Sequence, residues 1–123
     1  MRFQKLIKIF IIVIAIFLSN AYGPKETFSQ WYMGGTLHQA TGKEWHAATH
    51  ANKLATCADF IAAWSQNDLL KDQYKPRNNP QRWKPLAEEL VTAIDAYYEK
   101  KSNLPSTVAS VSALVAMIGG WLK

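Results

Sequence analysis

His46 and His50 are the first residues whose types and spacing suggest chemistry. Histidines at i and i+4 share one face of a continuous helix, as in helical zinc sites, but a zinc site needs further ligands. Glu44 and His38 lie near them in sequence. The metalloprotease pattern also needs a glutamate inside the pair, where this chain has Ala47. If Thr49 opens a new helix, the two rings leave their common face. They are therefore weak metal candidates, read better as two surface histidines. Cys57 is the one cysteine. A cysteine nucleophile wants an imidazole within hydrogen-bond reach. His50 is seven residues back, about 10 Å of helix rise away. Cys57 therefore reads as a small buried residue, with a disulfide between two chains as the remaining use.

Two further groups are candidates. Asn52, Thr56 and Asp59 form a polar line on a helix that is otherwise widely apolar. The preferred reading is structural: Asn52 and Asp59 bond backbone groups of segment 36–48 and fix how it folds back. Ligand contact is the other reading. Tyr74, Lys75, Arg77, Arg82 and Trp83 lie in a stretch rich in cations and aromatics, followed by Lys84. Such interleaving suits phosphates, acidic glycans or an acidic protein face. Asp68 and Asp72 dilute its charge, and the plain alternative is a solvated connector. Five tryptophans (31, 45, 64, 83 and 121) are many for so short a chain. They read as core filling, against the sharper idea of a shared aromatic groove.

These residues need elements to position them. Arg2, Lys5 and Lys8 precede a ten-residue apolar run, Ile9 to Leu18, and Ser19-Asn20-Ala21 offers a cleavage site. This is the pattern of a secretory signal over residues 1–21. The run is about half of the ~20 residues a membrane span needs. An uncleaved N-terminal anchor is the alternative. No cysteine follows to carry a lipoprotein anchor. Of 14 cations and nine acids, three cations fall in the leader, so 11 cations face nine acids after its removal. That balance argues against a strongly basic nucleic-acid binder. A lone cysteine excludes an intrachain disulfide framework.

Residues 22–35 show no sustained period and read as an arm in which Trp31, Tyr32 and Met33 tuck onto the body. Residues 36–123 read as one helical domain. Residues 36–40 suit one short turn, and Thr41-x-x-Glu44 matches a capping box. From His50 to Ser65, Ala51, Ala55, Ala58 and Ala62 form a narrow stripe flanked by larger apolar residues. Residues 65–84 are expected to be a long connection, with one turn at 69–74 capped by Asp68. Pro85 is expected to open a helix over about 84–101. That helix has Leu86, Leu90, Val91, Ile94, Tyr97 and Tyr98 on one face, and Lys100-Lys101 at the negative end of its dipole. Pro105 then opens the last helix. Its core stripe is predicted to be Val108, Val111, Leu114, Val115, Ile118 and Leu122, and Gly119-Gly120 should loosen or end it. No charge occurs between Lys101 and Lys123, a run of 21 residues. Its first half is polar, so a core helix is preferred to a membrane span. No stretch alternates with period 2. The fold expected is all-α: a small antiparallel helical bundle of three main helices plus one or two short N-terminal ones.

The segment Thr36-Leu-His-Gln-Ala-Thr41, Glu44-Trp45, Ala48-Thr49 and Asn52-Lys-Leu-Ala-Thr56-x-Ala58-Asp59 resembles small bacterial exported proteins that carry a T-L-x-x-A-T…E-W…N-K-L-A-T-x-A-D stretch behind a leader. The likeness covers about 25 residues, with an echo at Gly120-Trp121, and implies no activity, cofactor or site residue. No catalytic motif is present. The expectation is an exported, non-enzymatic protein of the periplasm or medium. It would bind another envelope macromolecule in a chaperone-, inhibitor- or immunity-like role, or as an accessory subunit. A small-ligand or metal binder using the histidines and the aromatic, basic loop is the alternative. No cofactor, nucleic acid or stable membrane span after leader removal is expected.

Overall fold

The computed structural model describes residues 30–75 and 80–123. The leader, the first part of the arm and Arg77 lie outside them. Among the described residues four α-helices follow one another: α1 (Gly42–Ala47), α2 (His50–Gln66), α3 (Pro80–Tyr98) and α4 (Val108–Ile118). Single 3-10 turns occur at Asp72–Tyr74 and Lys101–Asn103. The described chain has no β-strand, only isolated bridges between Thr41 and Thr107 and between Leu70 and Leu122. It is the all-α antiparallel bundle expected: α3 packs between α2 and α4, and one short helix precedes them.

Sequence chemistry explains the boundaries. In α1, Glu44 Oε1 accepts from the Thr41 backbone N–H at 3.2 Å, the return half of the capping box. Thr49 Oγ1 accepts from Asn52 N, so α2 starts afresh one residue after the Ala48 C-cap. The helix α3 begins at Pro80, a turn earlier than expected, so Arg82, Trp83 and Lys84 are helical and the connection is shorter. Pro80 takes the opening position assigned to Pro85, where a missing N–H is harmless. Pro85 falls inside the helix instead. It ends at Tyr98, not 101, and its last carbonyls are met by side chains other than the two lysines. Asn103 Nδ2 donates to Tyr97 O at 2.8 Å and His46 Nε2 to Tyr98 O at 3.2 Å. The last helix starts at Val108, capped by Thr107, and Pro105 stays in the preceding turn. Gly120, at φ +74, takes the left-handed conformation that stops it.

The core is built from Trp45, Leu54, Ile61, Leu90, Ile94, Tyr98, Val108 and Val111, all buried. Cys57 and Ala87 are fully buried where α2 and α3 meet. Trp45 Nε1 of α1 donates to Asp95 Oδ1 of α3 at 2.7 Å, and Lys53 Nζ of α2 lies 5.4 Å from the Trp45 ring centre. The chain end is clasped onto the α2–α3 connection. Lys71 N donates to Trp121 O at 2.8 Å, and Lys123 N to Leu69 O at 2.7 Å.

One expected stripe is rotated. The buried positions of α4 are Val108, Val111, Ser112 and Ala116. Leu114 is exposed, and Met117 and Ile118 are 65% and 75% exposed. The predicted stripe had placed Leu114 and Ile118 in the core. The small residues Ser112 and Ala116 let α4 lie close to the bundle, which turns the bulkier side chains outward. Among the described residues no helix is long and apolar enough to cross a membrane.

Candidate functional site

The polar line on α2 holds a non-helical strap, Gly34 to Thr41, which turns at His38-Gln39. Asn52, Thr56 and Asp59 sit at i, i+4 and i+7, one face of the helix. Thr36 N donates to Asn52 Oδ1 at 2.8 Å, and Asn52 Nδ2 donates back to Thr36 Oγ1 at 2.8 Å. Leu37 N donates to the buried Thr56 Oγ1 at 3.3 Å. Asp59 meets a side chain and not the backbone: its carboxylate lies 2.9 Å from His38 Nε2. Burial raises the Asp59 pKa, and His38 partly offsets that. The strap then closes the start of α4. Ala40 O accepts from Val108 N at 2.8 Å and His38 O from Ala109 N at 3.0 Å. Two N–H groups that a helix start normally leaves open are thereby satisfied.

The histidines do not converge. His38 pairs with Asp59, His46 caps α3, and His50 lies 3.0 Å from Glu88 Oε2 across the α2–α3 groove. The Thr49 cap separates His46 and His50 onto different helices. Among the described residues no three His, Cys, Asp or Glu side chains are grouped to hold a metal. Cys57 is free and fully buried. Burial first, and then the charges of Asp95, Asp59 and Glu88, push its thiol well above the usual range. A thiol held protonated there is a poor nucleophile.

The loop candidates divide. Tyr74, Lys75 and Arg82 line an open cleft of about 450 Å³ together with Asp72, Leu86 and Glu89. Tyr74 also leans on Trp121, with ring centres 6.0 Å apart. The Lys75 ammonium is already paired, to Asp68 at 2.7 Å and Asp72 at 2.9 Å. Lys123 binds the same Asp68 at 2.7 Å. With these cations beside it, Lys123 foremost, the Asp68 pKa falls to about 2. Trp83 stands on the first turns of α3, its Nε1 buried with no hydrogen-bond partner among the described residues. Trp45, Trp64 and Trp121 are core residues, as the plainer reading expected, and Trp31 packs against that core. Trp45 is sealed under α2 and α3, Trp64 stacks on Phe60, and Trp121 sits by Tyr74.

The charge-free last helix is the sequence's positive reason to expect a partner, but the predicted core stripe does not single out the residues that form its exposed face. Ser110, Ala113, Leu114, Met117 and Ile118 occur at i, i+3, i+4, i+7 and i+8, the spacing of one helix stripe. Its signal was present: a helix apolar all round, without a charge, has more than one face to bury. No protein-family model matches the chain, and neither curated proteins nor solved structures show a significant match to it.

Proposed function

We propose that the chain is an exported, non-enzymatic helical protein that binds another protein of the bacterial envelope through the outer face of α4. The observation that carries this is the exposure of Met117 and Ile118 on a helix with no charged residue. Burying a side chain of this size yields about 1.5–3 kcal/mol, so a partner gains by covering them. Methionine suits such a surface because its flexible thioether adapts to the shape it meets. The Arg2–Ala21 pattern supports export. Against catalysis stand the engaged histidines and the buried Cys57 thiol.

The test compares tagged wild-type protein with Met117→Lys, cross-linked in intact cells. A lysine in the last turn of α4 suits the helix dipole, so folding is retained. A defined polypeptide joined to wild type and lost from the variant supports the reading, and identical profiles refute it. Fractionation should place a form starting near Tyr22 outside the cytoplasm.

A second reading rests on the cleft beside Tyr74, Lys75 and Arg82. A small anionic ligand with a hydrogen-bond acceptor would meet Arg82 and, after a side-chain shift, the Trp83 indole. Quenching of Trp83 fluorescence on ligand titration, abolished in Arg82→Ala, would favour it.

A further inference from the structure

We propose that the open cleft beside Tyr74 binds a short peptide with free ends, its carboxylate held by Arg82 and its ammonium by Glu89. This rests on the second reading above, in which the cleft takes an anion, and adds to that ligand a cationic end and a length. Arg82, Leu86 and Glu89 all line the cleft. They stand at i, i+4 and i+7 of α3, one face of the helix. The other charges of the lining, Asp72 and Lys75, are bound to each other at 2.9 Å. Arg82 and Glu89 are exposed, and neither has an ion pair or a side-chain hydrogen bond among the described residues. The lining thus offers one uncommitted cation and one uncommitted anion, a pattern that suits a zwitterion better than a simple anion.

The placement of the two charges sets the polarity and the length. Arg82 lies on the first turn of α3, where the positive end of the helix dipole disfavours a cation. No acidic residue shares that turn. The helix gains nothing from a cation there, whereas an arriving carboxylate meets both the guanidinium and the favourable end of the dipole. Seven residues of helix put Glu89 about 10 Å from Arg82 along the axis. An extended chain covers about 3.3–3.6 Å per residue, so a tripeptide brings its two ends to the two charges. A single amino acid is too short to span them. Pro85, Leu86 and the Tyr74 ring supply apolar lining, and the Tyr74 hydroxyl and the Gln73 amide can bond the peptide backbone. The volume of about 450 Å³ falls within the roughly 300–1,000 Å³ of small-ligand sites. Tyr74 leans on Trp121 and Lys75 is tied to Asp68, so the chain-end clasp holds this wall before a ligand arrives.

The experiment titrates purified protein with the tripeptide Ala-Leu-Ala, its N-acetyl form and its C-terminal amide, followed by calorimetry and by NMR shifts at Tyr74 and Leu86. The free tripeptide should bind reversibly and move both signals. Blocking either end should weaken it about tenfold, the effect of losing one charged hydrogen bond. Glu89→Gln should bind the free and acetylated peptides alike, and Arg82→Gln the free and amidated peptides alike. Both side chains are exposed, so each variant should keep the wild-type helical spectrum. Equal binding of the free and acetylated peptides by wild type, lost in Arg82→Gln, overturns the inference and leaves the anion reading standing. Binding indifferent to Arg82→Gln overturns both. Free alanine bound as tightly as the tripeptide overturns the inference, because one residue cannot span the two charges. No shift at Tyr74 or Leu86 with the free tripeptide also overturns it; an Arg82-dependent shift with inorganic phosphate would then keep the anion reading alone.

Discussion

From Thr36 to Asp59, the side chains with chemical potential are bound to the chain itself. Glu44 caps α1, Trp45 and Lys53 share Asp95, and Asn52, Thr56 and Asp59 hold the strap. Along the outer face of α4 the situation is reversed. The side chains there have no charge and one internally satisfied hydroxyl, yet Met117 and Ile118 stand in solvent. The polar residues of the first region mostly serve the fold, while Leu114, Met117 and Ile118 are apolar side chains that the fold leaves exposed. The motif-like segment from Thr36 to Asp59 is thus largely accounted for by architecture. Its Thr41, Glu44, Asn52, Thr56 and Asp59 lie in bonds that set helix starts or dock the strap, and its Trp45 and Lys53 both bond Asp95 on α3.

That contrast can be broken by substitution on either side. Trp45→Ala should cost most, about 3–5 kcal/mol for a large fully buried aromatic, seen as a lower denaturant midpoint; it also strips Asp95 of a donor. Thr56→Val keeps the shape but leaves the Leu37 N–H without its acceptor, which should cost about 1–3 kcal/mol. Hydrogen exchange at Leu37 should quicken with it. Met117→Lys should move stability by no more than about 0.5 kcal/mol while abolishing association, the inverse of Thr56→Val. A destabilised Met117→Lys together with a silent Thr56→Val would invert the comparison.

The smallest effect concerns the clasp at the chain end. The Asp68 pKa is depressed to about 2, so its contribution is present above the unfolded carboxylate range near 4 and is lost as pH falls through about 2. Amide exchange at Lys71 and Lys123, corrected for intrinsic rate, should accelerate across that window. High salt at neutral pH should do the same, since Asp68 and Lys123 are solvent-exposed. Asp68→Asn should remove the acid step. At the alkaline end burial lifts the Tyr98 phenol to about 12, so its contribution holds below pH 10 and fades as pH rises through 12.

Most of the architecture was legible in the sequence because it follows from periodicity and caps. Thr41 with Glu44, the break at Thr49, and the Leu90, Val91, Ile94 and Tyr98 face of α3 were all readable. The start of α3 was misplaced because two prolines, Pro80 and Pro85, each satisfy the rule for an opening residue. The C-terminal cap of α3 was unreadable, since His46 and Asn103 arrive from distant or irregular segments. The rotation of α4 was hidden for a different reason. A helix apolar on every side has no polar face to mark its outside, and the choice fell to small residues that allow close packing. The cleft near Tyr74 was anticipated as a cluster of residue types, but not the pairing of Lys75 by Asp68 and Asp72.

The central claim, that the outer face of α4 is a covered surface in use, is tested most directly by methionine footprinting. Met33, 42% exposed on the arm, is an internal control for Met117 at 65%. Thioether oxidation follows solvent access. Dilute purified protein should oxidise at both residues, with Met117 the faster. In intact cells Met117 should be protected while Met33 stays reactive. Oxidation of Met117 at the same rate relative to Met33 in both settings would contradict the account.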